Sequence, residues 1–256
     1  MILAIDVGNT NIVLGCIEDG NITNVLRVHT NQYATAVEHA IVLRQVLEFY
    51  KVDPLALEGT ILSSVVPAVT EALTEAIKRL TGKDCLVVGP GMKTGMNVRI
   101  DDPGTLAGDL VVGSVAAMGV YGTPVLVLDM GTATTMVVID KDGCYRGGAI
   151  LPGVKLGYAA LSAGTSLLPD ISITPPKKVI ATNTVDSMRS GAVFGTAATV
   201  DGMADRMEAE LGYPLKVVAT GGLAQAVAPY CRREILCDND LLLKGLWILW
   251  EKNKKS

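Results

Sequence analysis

Two short segments of the sequence combine a carboxylate, a glycine and hydrogen-bonding side chains directly after an apolar run. Turn A is Asp6-Val7-Gly8-Asn9-Thr10-Asn11, and turn B is Asp129-Met130-Gly131-Thr132-Ala133-Thr134-Thr135. Backbone N–H groups beside a glycine, with hydroxyl and amide donors, suit the phosphates of a nucleotide, and the carboxylate suits Mg²⁺ held through water. A polar hairpin turn without a ligand is the alternative for either segment alone. The occurrence of two such turns favours a polyphosphate held from both sides of a cleft.

Asp109 is the one acidic residue in a locally apolar, glycine-containing segment, Thr105 to Leu110. Phosphorylation of an alcohol needs a carboxylate near the hydroxyl group, and a general base there contributes about 10²- to 10⁴-fold in rate. Aspartate is also a good residue for the N-cap of a helix. Spacing alone favours the N-cap role over the catalytic one.

The segment Thr220-Gly221-Gly222-Leu223-Ala224 is a third candidate nucleotide contact, because glycines at a strand-to-helix turn allow close approach. An ordinary helix start is equally consistent with it. The sequence has no P-loop, no strand-linked G-x-G-x-x-G and no G-x-S-x-G elbow, and neither His29 nor His39 lies in a motif. These absences argue against P-loop, Rossmann and Ser-His-Asp or Cys-His hydrolase functions.

An internal repeat organises the chain. With an offset of 123 residues, Ile2 to Thr10 aligns with Val125 to Ala133, and Asp19-Gly20 aligns with Asp142-Gly143, without a gap. Each copy is predicted to contain a buried strand, turn A or B, a second strand and a tight turn at the Asp-Gly pair. A chance similarity between two apolar hairpins is the alternative. The repeat predicts two homologous α/β domains, residues 1–118 and 119–256, with the last helix packing back on the first.

The elements that position these residues follow from apolar periodicity and turn signals. An apolar stripe after Thr35 predicts a helix, and Pro67 and Gly82 mark the start and end of another. The chain between Asp109 and Asp129 carries no charge, but glycines and a proline interrupt it, which predicts a buried helix, a turn and a buried strand rather than a membrane span. The other predicted elements are the strands Ile12–Ile17, Ile61–Val66, Met136–Ile139 and Val217–Ala219 and the apolar helix Leu241–Trp250.

Composition and charge describe a folded protein and exclude several partners. Hydrophobic residues make up 49% of the 256 residues and charged residues 19%, which is enough apolar material for a core. The net charge is −4 and the basic residues are scattered, apart from three lysines near the C-terminus, so we expect no nucleic-acid partner. The N-terminus reaches Asp6 without a basic lead, which excludes a secretory signal and predicts a cytoplasmic location. Five cysteines without Cys-x-x-Cys, and two histidines, make a disulfide framework or a zinc site improbable.

The paired turns resemble those of the superfamily of acetate and sugar kinases, actin and heat-shock chaperone ATPases, in which two ribonuclease-H-like domains close over ATP. Seven motifs, in order along nearly the whole chain, resemble more specifically those of type III pantothenate kinases. They are Asp6-x-Gly8-Asn9-Thr10, Ser63-Ser64-Val65-Val66-Pro67, Lys93-Thr94-Gly95, Asp129-x-Gly131-Thr132-Ala133-x-Thr135, Gly147-Gly148-Ala149-Ile150-x-Pro152-Gly153, Asn183-Thr184-x-x-Ser187-Met188-x-Ser190-Gly191 and Thr220-Gly221-Gly222-Leu223-Ala224. The resemblance implies an α/β fold of two tandem ribonuclease-H-like domains with a nucleotide cleft between them.

The resemblance also implies an activity, the ATP-dependent phosphorylation of pantothenate to 4′-phosphopantothenate, which is the first step of coenzyme A biosynthesis. It implies Mg²⁺, a monovalent cation (K⁺ or NH₄⁺) and a homodimer whose substrate pocket lies at the subunit interface. Asp109 would be the proton acceptor, and Asp129 would hold the monovalent cation. ATP would contact Asp6, Val7, Gly8, Asn9, Thr10, Asn11, Ile12, Val13 and Thr132, and pantothenate would contact Ala107, Gly108, Asp109 and Thr184.

Two positions depart from the family's pattern. The family usually has Gly-Ala-Asp-Arg where this chain has Ala107-Gly108-Asp109-Leu110, and a tyrosine where Ile100 stands. An arginine is the side chain suited to binding the carboxylate of pantothenate. Three functions therefore stay open: a pantothenate kinase, a kinase for another small alcohol, and a nucleotide-binding or partner subunit with weak activity alone. In the last case the chain would form a heteromer with a related subunit that supplies the absent groups.

Overall fold

The computed structural model describes residues 1–254 and divides into two compact units. Unit 1 holds residues 1–95, 102–119 and 240–254, and unit 2 holds residues 96–101 and 120–239. The last of the three lysines near the C-terminus, Lys255, lies outside the described residues. The chain therefore crosses from one unit to the other more than once.

Unit 1 is built on a five-stranded sheet. Its strands are β1 (Ile2–Val7), β2 (Asn11–Glu18), β3 (Asn21–His29), β4 (Gly59–Ser64) and β5 (Cys85–Val87). They lie in the order β3-β2-β1-β4-β5, with β1 to β3 antiparallel and β4 and β5 parallel to β1. Asp19 and Gly20 close the tight turn between β2 and β3 with positive φ angles of 49° and 81°. The predicted hairpin of the N-terminal half is confirmed.

Four helices accompany this sheet. They are α1 (Ala36–Phe49), α2 (Pro67–Thr81), α3 (Gly108–Tyr121) and, near the end of the chain, α8 (Leu241–Asn253). Thr35 begins α1 with a capping box, in which its hydroxyl accepts the Glu38 N–H and the Glu38 carboxylate accepts the Thr35 N–H. Pro67 is the first residue of α2, and Gly82 ends it in the left-handed conformation, with φ 70°. The start and end signals in the sequence are confirmed.

The strand before α2 begins and ends two residues earlier than the sequence pattern predicts. The pattern predicts a strand over Ile61–Val66, but β4 ends at Ser64. The Ser64 hydroxyl accepts the N–H of Val66 at 3.0 Å, which forms a local turn, while the N–H of Val65 still donates to the Val7 carbonyl oxygen at 3.1 Å. Val66 therefore turns away from the sheet so that Pro67 can begin the helix.

The last helix packs on the sheet of unit 1 at very short range. The indole ring of Trp250 lies against Gly59, where an added Cβ would come within 2.1 Å of the ring. Gly245 lies against the backbone of α3, where an added Cβ would come within 2.2 Å of the Val112 carbonyl oxygen. Glycine is required at both places because any side chain would push the helix away from its neighbours.

Unit 2 repeats the same strand order. Its strands are β6 (Asn97–Val98), β7 (Val125–Met130), β8 (Ala133–Ile139), β9 (Cys144–Pro152), β10 (Lys216–Thr220) and β11 (Ile235–Cys237). They lie in the order β11-β10-β7-β8-β9-β6, so that β9-β8-β7-β10-β11 corresponds to β3-β2-β1-β4-β5 of unit 1. The short strand β6 adds an edge by pairing with β9. The two α/β units expected from the repeat are confirmed, and so is the ribonuclease-H-like fold that the family resemblance implies.

Helices of unit 2 follow β9 and β10. They are α4 (Val154–Ala163), α5 (Thr184–Ser190), α6 (Thr196–Leu211) and α7 (Ala224–Val227), with a π-helical turn, Gly191–Gly195, joining α5 to α6. Across residues 1–254, none of the helices has the length and apolar character needed to cross a membrane. The uncharged stretch after Asp109 forms α3, a turn and β7, as predicted.

Candidate active site

Turn A joins β1 to β2 as a tight hairpin. Asp6 lies one residue before the end of β1 and is 8% exposed. The Gly8 N–H donates to the Asn11 carbonyl oxygen at 3.0 Å, which closes the turn. Asn9 and Thr10 are exposed at its tip. Turn A therefore presents amide and hydroxyl groups to solvent beside a carboxylate at the end of a buried strand.

Three of the residues assigned to ATP by resemblance do not present their side chains at this surface. Val7 and Ile12 are buried in the apolar core of unit 1, and Val13 is half-buried against a second apolar cluster. Only the backbone of these three residues could approach a ligand. The side chains available to a phosphate are therefore the polar members of turn A.

Ser63 is a buried hydroxyl that the sequence reasoning did not select as a site residue. It lies opposite Asp6 across β1 and β4 and is 0% exposed. A Cβ added to Gly108 would lie 3.2 Å from its Oγ, and this hydroxyl has no hydrogen-bond partner within residues 1–254. Ser63 therefore stands between turn A and the segment that carries Asp109. The one sequence signal that could have identified Ser63 as a site residue is its position in the Ser63–Pro67 motif.

Asp109 lies in the first turn of α3, one residue after the helix begins, and not at its N-cap. Its carboxylate accepts the N–H of Leu110 at 2.8 Å. Burial raises the pKa of Asp109 above the ordinary aspartate value, although the backbone N–H groups of Leu110 and of Asp109 itself act in the opposite direction. A half-buried carboxylate with a raised pKa is a suitable proton acceptor.

Turn B joins β7 to β8, and the glycine turn after β10 packs directly on it. Thr220 pairs with Asp129 across the parallel strands β10 and β7. Gly221 has a φ of 91°, and a Cβ at this position would lie 2.6 Å from Asp129 Oδ1 and 2.7 Å from the Met130 nitrogen. No side chain fits there. The structure thus brings two of the three candidate segments together within unit 2, although they are far apart in the sequence.

Thr132 lies at the exposed tip of turn B. Its carbonyl oxygen accepts the N–H of Gly153 at 3.1 Å. A Cβ on Gly153 would lie 2.2 Å from the same oxygen, so the chain after β9 approaches turn B as closely as a backbone can. Turn B is therefore supported from two directions, by Gly221 and by Gly153.

A cavity of about 460 Å³ borders the third candidate segment in unit 2. Leu223, which follows the glycine turn, forms one wall. The other lining residues come from α4 and from the chain before α5, and they are Lys155, Tyr158, Ala159, Asp170, Ile171, Ser172 and Ile173. The volume lies within the range of small-molecule sites.

The residues assigned to pantothenate are divided between the units. Ala107 and Gly108 are half-buried beside Asp109 in unit 1. Thr184 belongs to unit 2 and is the exposed first residue of α5, after the N-cap Asn183. Ile100, which replaces the usual tyrosine, is half-buried in unit 2. The structure gathers no complete set of these residues within either unit of the described chain.

Comparison with known proteins places the chain in a family. The family model for type III pantothenate kinase matches residues 2–206. A type III pantothenate kinase from Moorella thermoacetica is 42% identical over 253 residues, which are 99% of this chain and 100% of the relative. Another, from Myxococcus xanthus, is 41% identical over 256 residues and all of both chains.

A comparison of structures agrees on the fold. A solved structure from Campylobacter jejuni, described as a Baf family transcriptional activator, is 20% identical, with a TM-score of 0.62 over 98% of both chains. That likeness concerns the fold alone. The family model and the full-length relatives show more than the fold: this chain belongs to the type III pantothenate kinase family.

Proposed function

We propose that this chain transfers the terminal phosphoryl group of ATP to the hydroxyl group of pantothenate, which forms 4′-phosphopantothenate in the first step of coenzyme A biosynthesis. The observation that carries the proposal is the setting of Asp109, a half-buried carboxylate with a raised pKa in the first turn of α3. Kinases of this family use ATP with a divalent metal, and the relatives named above are pantothenate kinases over their full length.

Turn A and Thr132 would bind the phosphates of ATP. Gly8 allows the backbone of turn A to come close to an anion, and Asn9 and Thr10 carry exposed amide and hydroxyl donors. Thr132 would add a hydroxyl donor from turn B. Positioning and charge neutralisation of this kind account for most of the catalysis of phosphoryl transfer.

The donor set of turn A fits Mg²⁺. Asp6 supplies one carboxylate, and its neighbours supply only amide and hydroxyl oxygens, which are hard ligands. Within residues 1–254, no group of three or more His, Cys, Asp and Glu side chains could hold a metal. Mg²⁺ is usually held by one or two carboxylates, several waters and the substrate phosphates, so a single protein carboxylate suffices for it. When bound, Mg²⁺ would neutralise charge on the phosphates, and the Asp6 carboxylate would hold the ion through water.

Asp109 would accept the proton of the substrate hydroxyl as the oxygen attacks the terminal phosphorus. The new O–P bond forms, the bond to the leaving ADP breaks, and the proton remains on the Asp109 carboxylate. Because burial raises the pKa of this carboxylate, the proton transfer is more favourable than it would be to an exposed aspartate. The N–H of Leu110 keeps one carboxylate oxygen in place.

Asp129 would hold the monovalent cation, K⁺ or NH₄⁺. The close approach of Gly221 leaves Asp129 Oδ1 beside backbone rather than side-chain atoms. A large, weakly hydrated cation exchanges water for a few carboxylate and carbonyl oxygens at a lower cost than a small one does. The site would therefore discriminate between K⁺ and Na⁺.

The chain would act as a dimer. Large apolar side chains on unit 2, in the end of β9, in α4 and in the chain before α5, are exposed in the single chain; they are Ile150, Leu156, Leu167 and Ile180. Exposed apolar residues that cluster along neighbouring segments are typical of an interface. The partner would be a second copy, or a related subunit that supplies the arginine and the phenol missing at Leu110 and Ile100.

The same two positions support a second candidate function, a kinase for another small alcohol or a nucleotide-binding subunit with weak activity alone. Leu110 has no donor for a substrate carboxylate, and Ile100 has no hydroxyl. A substrate without a carboxylate would not need the arginine.

An assay of ADP release by the purified chain separates these functions. Release that depends on pantothenate, and that is lost in Asp109→Ala, is expected for the kinase. Release with other alcohols but not with pantothenate identifies the second candidate. ATP binding in a calorimeter without turnover on any alcohol, followed by turnover when a related subunit is added, identifies the partner subunit.

A further inference from the structure

Thr30 is a buried polar residue that contacts turn A from outside it. It follows β3 directly and is 7% exposed. Its hydroxyl donates to the Gly8 carbonyl oxygen at 2.7 Å, and its N–H donates to the Thr10 carbonyl oxygen at 3.0 Å. One residue therefore fixes the carbonyl groups on both sides of Asn9.

These two hydrogen bonds set the direction of a peptide group in turn A. In a trans peptide the C=O and the following N–H point in opposite directions. Because Thr30 holds the Gly8 carbonyl group, the N–H of Asn9 is directed away from Thr30. A phosphate is recognised by backbone N–H groups that already face it, so this direction affects how well turn A binds an anion.

Unit 2 has a related contact at the position given by the repeat. The offset of 123 residues that aligns turns A and B also aligns Thr30 with Gly153. Gly153 directly follows β9, and its N–H donates to the carbonyl oxygen of Thr132 in turn B. In both units, the residue after the third strand of the repeat, β3 or β9, donates its N–H to a carbonyl group of the turn. In unit 1, the Thr30 hydroxyl forms a second hydrogen bond with the turn. In unit 2, Gly153 lies so close to the Thr132 carbonyl oxygen that no side chain fits at this position.

We propose that Thr30 is a positioning residue for nucleotide binding, because it orients the peptide groups of turn A toward the phosphates without touching them. The inference rests on the proposed function, since it takes turn A as the phosphate site. It adds that the affinity of turn A for ATP depends on a side chain outside the recognised motif.

The test compares Thr30→Val with a control in the same unit. Valine keeps the shape and the backbone N–H of Thr30 but removes the hydroxyl donor. Thr81 is the matched control, because it is 5% exposed and its hydroxyl donates to the Ile77 carbonyl oxygen at 2.9 Å within α2. Thr81→Val removes a buried hydroxyl of the same kind at a site with no role in the proposal. ATP affinity is measured by calorimetry well below the unfolding temperature of every variant.

We expect Thr30→Val to lower ATP affinity about fivefold to tenfold, in line with the loss of one hydrogen bond. Thr81→Val should leave that affinity within about twofold of wild type, and Thr30→Ser should restore it. Unchanged ATP affinity in Thr30→Val, or an equal loss in Thr81→Val, would overturn the inference. If Thr30→Val does not fold, Thr30→Cys takes its place, because a thiol is a weak donor, and the same outcomes decide. A wild-type chain that binds no ATP contradicts the proposed function itself, whereas normal binding that is insensitive to Thr30 contradicts only this inference.

Discussion

Replacement of Asp109 by asparagine separates catalysis from stability in this protein. Asparagine has the same shape, and its side-chain oxygen can still accept the Leu110 N–H at 2.8 Å. It cannot accept a proton from the substrate. The loss of a general base is expected to lower kcat about 10²- to 10⁴-fold, which corresponds to roughly 2.7–5.4 kcal/mol of activation free energy. ATP affinity should stay close to that of wild type, because Asp109 is not among the proposed phosphate contacts.

The effect of the same change on stability has the opposite sign. Burial raises the pKa of Asp109 in the folded state, so the folded state holds this proton more tightly than the unfolded state does. The stabilising contribution is complete below the unfolded pKa of about 3.9 and is lost as the pH rises through the folded pKa. A neutral asparagine side chain carries no such penalty. We therefore expect Asp109→Asn to be at least as stable as wild type at neutral pH and to lose less stability between about pH 4 and 7.

Two measurements check this reasoning. ADP release under saturating ATP and pantothenate gives kcat, and urea unfolding at several pH values gives the free energy of unfolding. Asp109→Asn with a kcat within about tenfold of wild type would refute the role of Asp109 as proton acceptor. A variant that unfolds at a lower urea concentration than wild type at neutral pH would refute the burial argument.

Further predictions concern the nucleotide, the cation, the substrate pocket and acid stability. Asp6→Ala and Thr132→Val should each weaken ATP binding while the fold is retained, and unchanged calorimetric affinity in both variants would exclude them as phosphate contacts. Activity should be higher in K⁺ or NH₄⁺ than in Na⁺, and equal rates in matched buffers would contradict a monovalent cation site in turn B. Leu110→Arg combined with Ile100→Tyr should lower KM for pantothenate by roughly 10- to 150-fold, because a hydrogen bond to a charged group contributes about 1.5–3 kcal/mol. If the unmodified chain is fully active and neither change improves it, the missing groups are not needed. Burial raises the pKa of Asp140, but the N–H groups of Cys144 and Asp142 and the Arg146 guanidinium, which forms an ion pair with it, outweigh burial and lower the pKa. Its stabilising contribution is therefore present above the unfolded pKa and lost as the pH falls through the folded pKa, and urea unfolding should show Asp140→Asn to be less stable than wild type at about pH 7 but nearly equal at about pH 2.

The hairpins and helix ends could be predicted from the sequence because their signals are local. Asp19-Gly20 requires positive φ angles, Pro67 and Gly82 begin and end α2, and Thr35 with Glu38 forms a capping box. Each of these depends on residues within a few positions of one another. The presence of two α/β domains followed from the repeat of these signals, and the ribonuclease-H-like fold followed from the family resemblance.

The parts that the sequence did not reveal depend on residues far apart along the chain. The contacts of Thr30 with turn A and of Gly221 with Asp129 join segments with no shared motif or periodicity. Strand β3 lies at an edge of the sheet, where Ile22, Leu26 and Val28 are only half-buried and Val25 is exposed, so its alternating apolar pattern is a weak signal. The roles of the site residues remain predictions, because they depend on ligands rather than on the chain alone.

The position of α8 has a consequence for the order in which the protein folds during synthesis. Trp250 covers Gly59, and α8 packs on β1 and β4. The packing of strand β1 is therefore incomplete until α8 has been synthesised. At about 5–20 residues per second, the ribosome needs roughly 10–50 s to make the chain between them. Residues 120–239 of unit 2 are complete before α8 begins. Val112 and Val115 of α3 belong to the same apolar cluster as α8, but the part of the sheet face that α8 covers is exposed to chaperones or to aggregation until α8 is made.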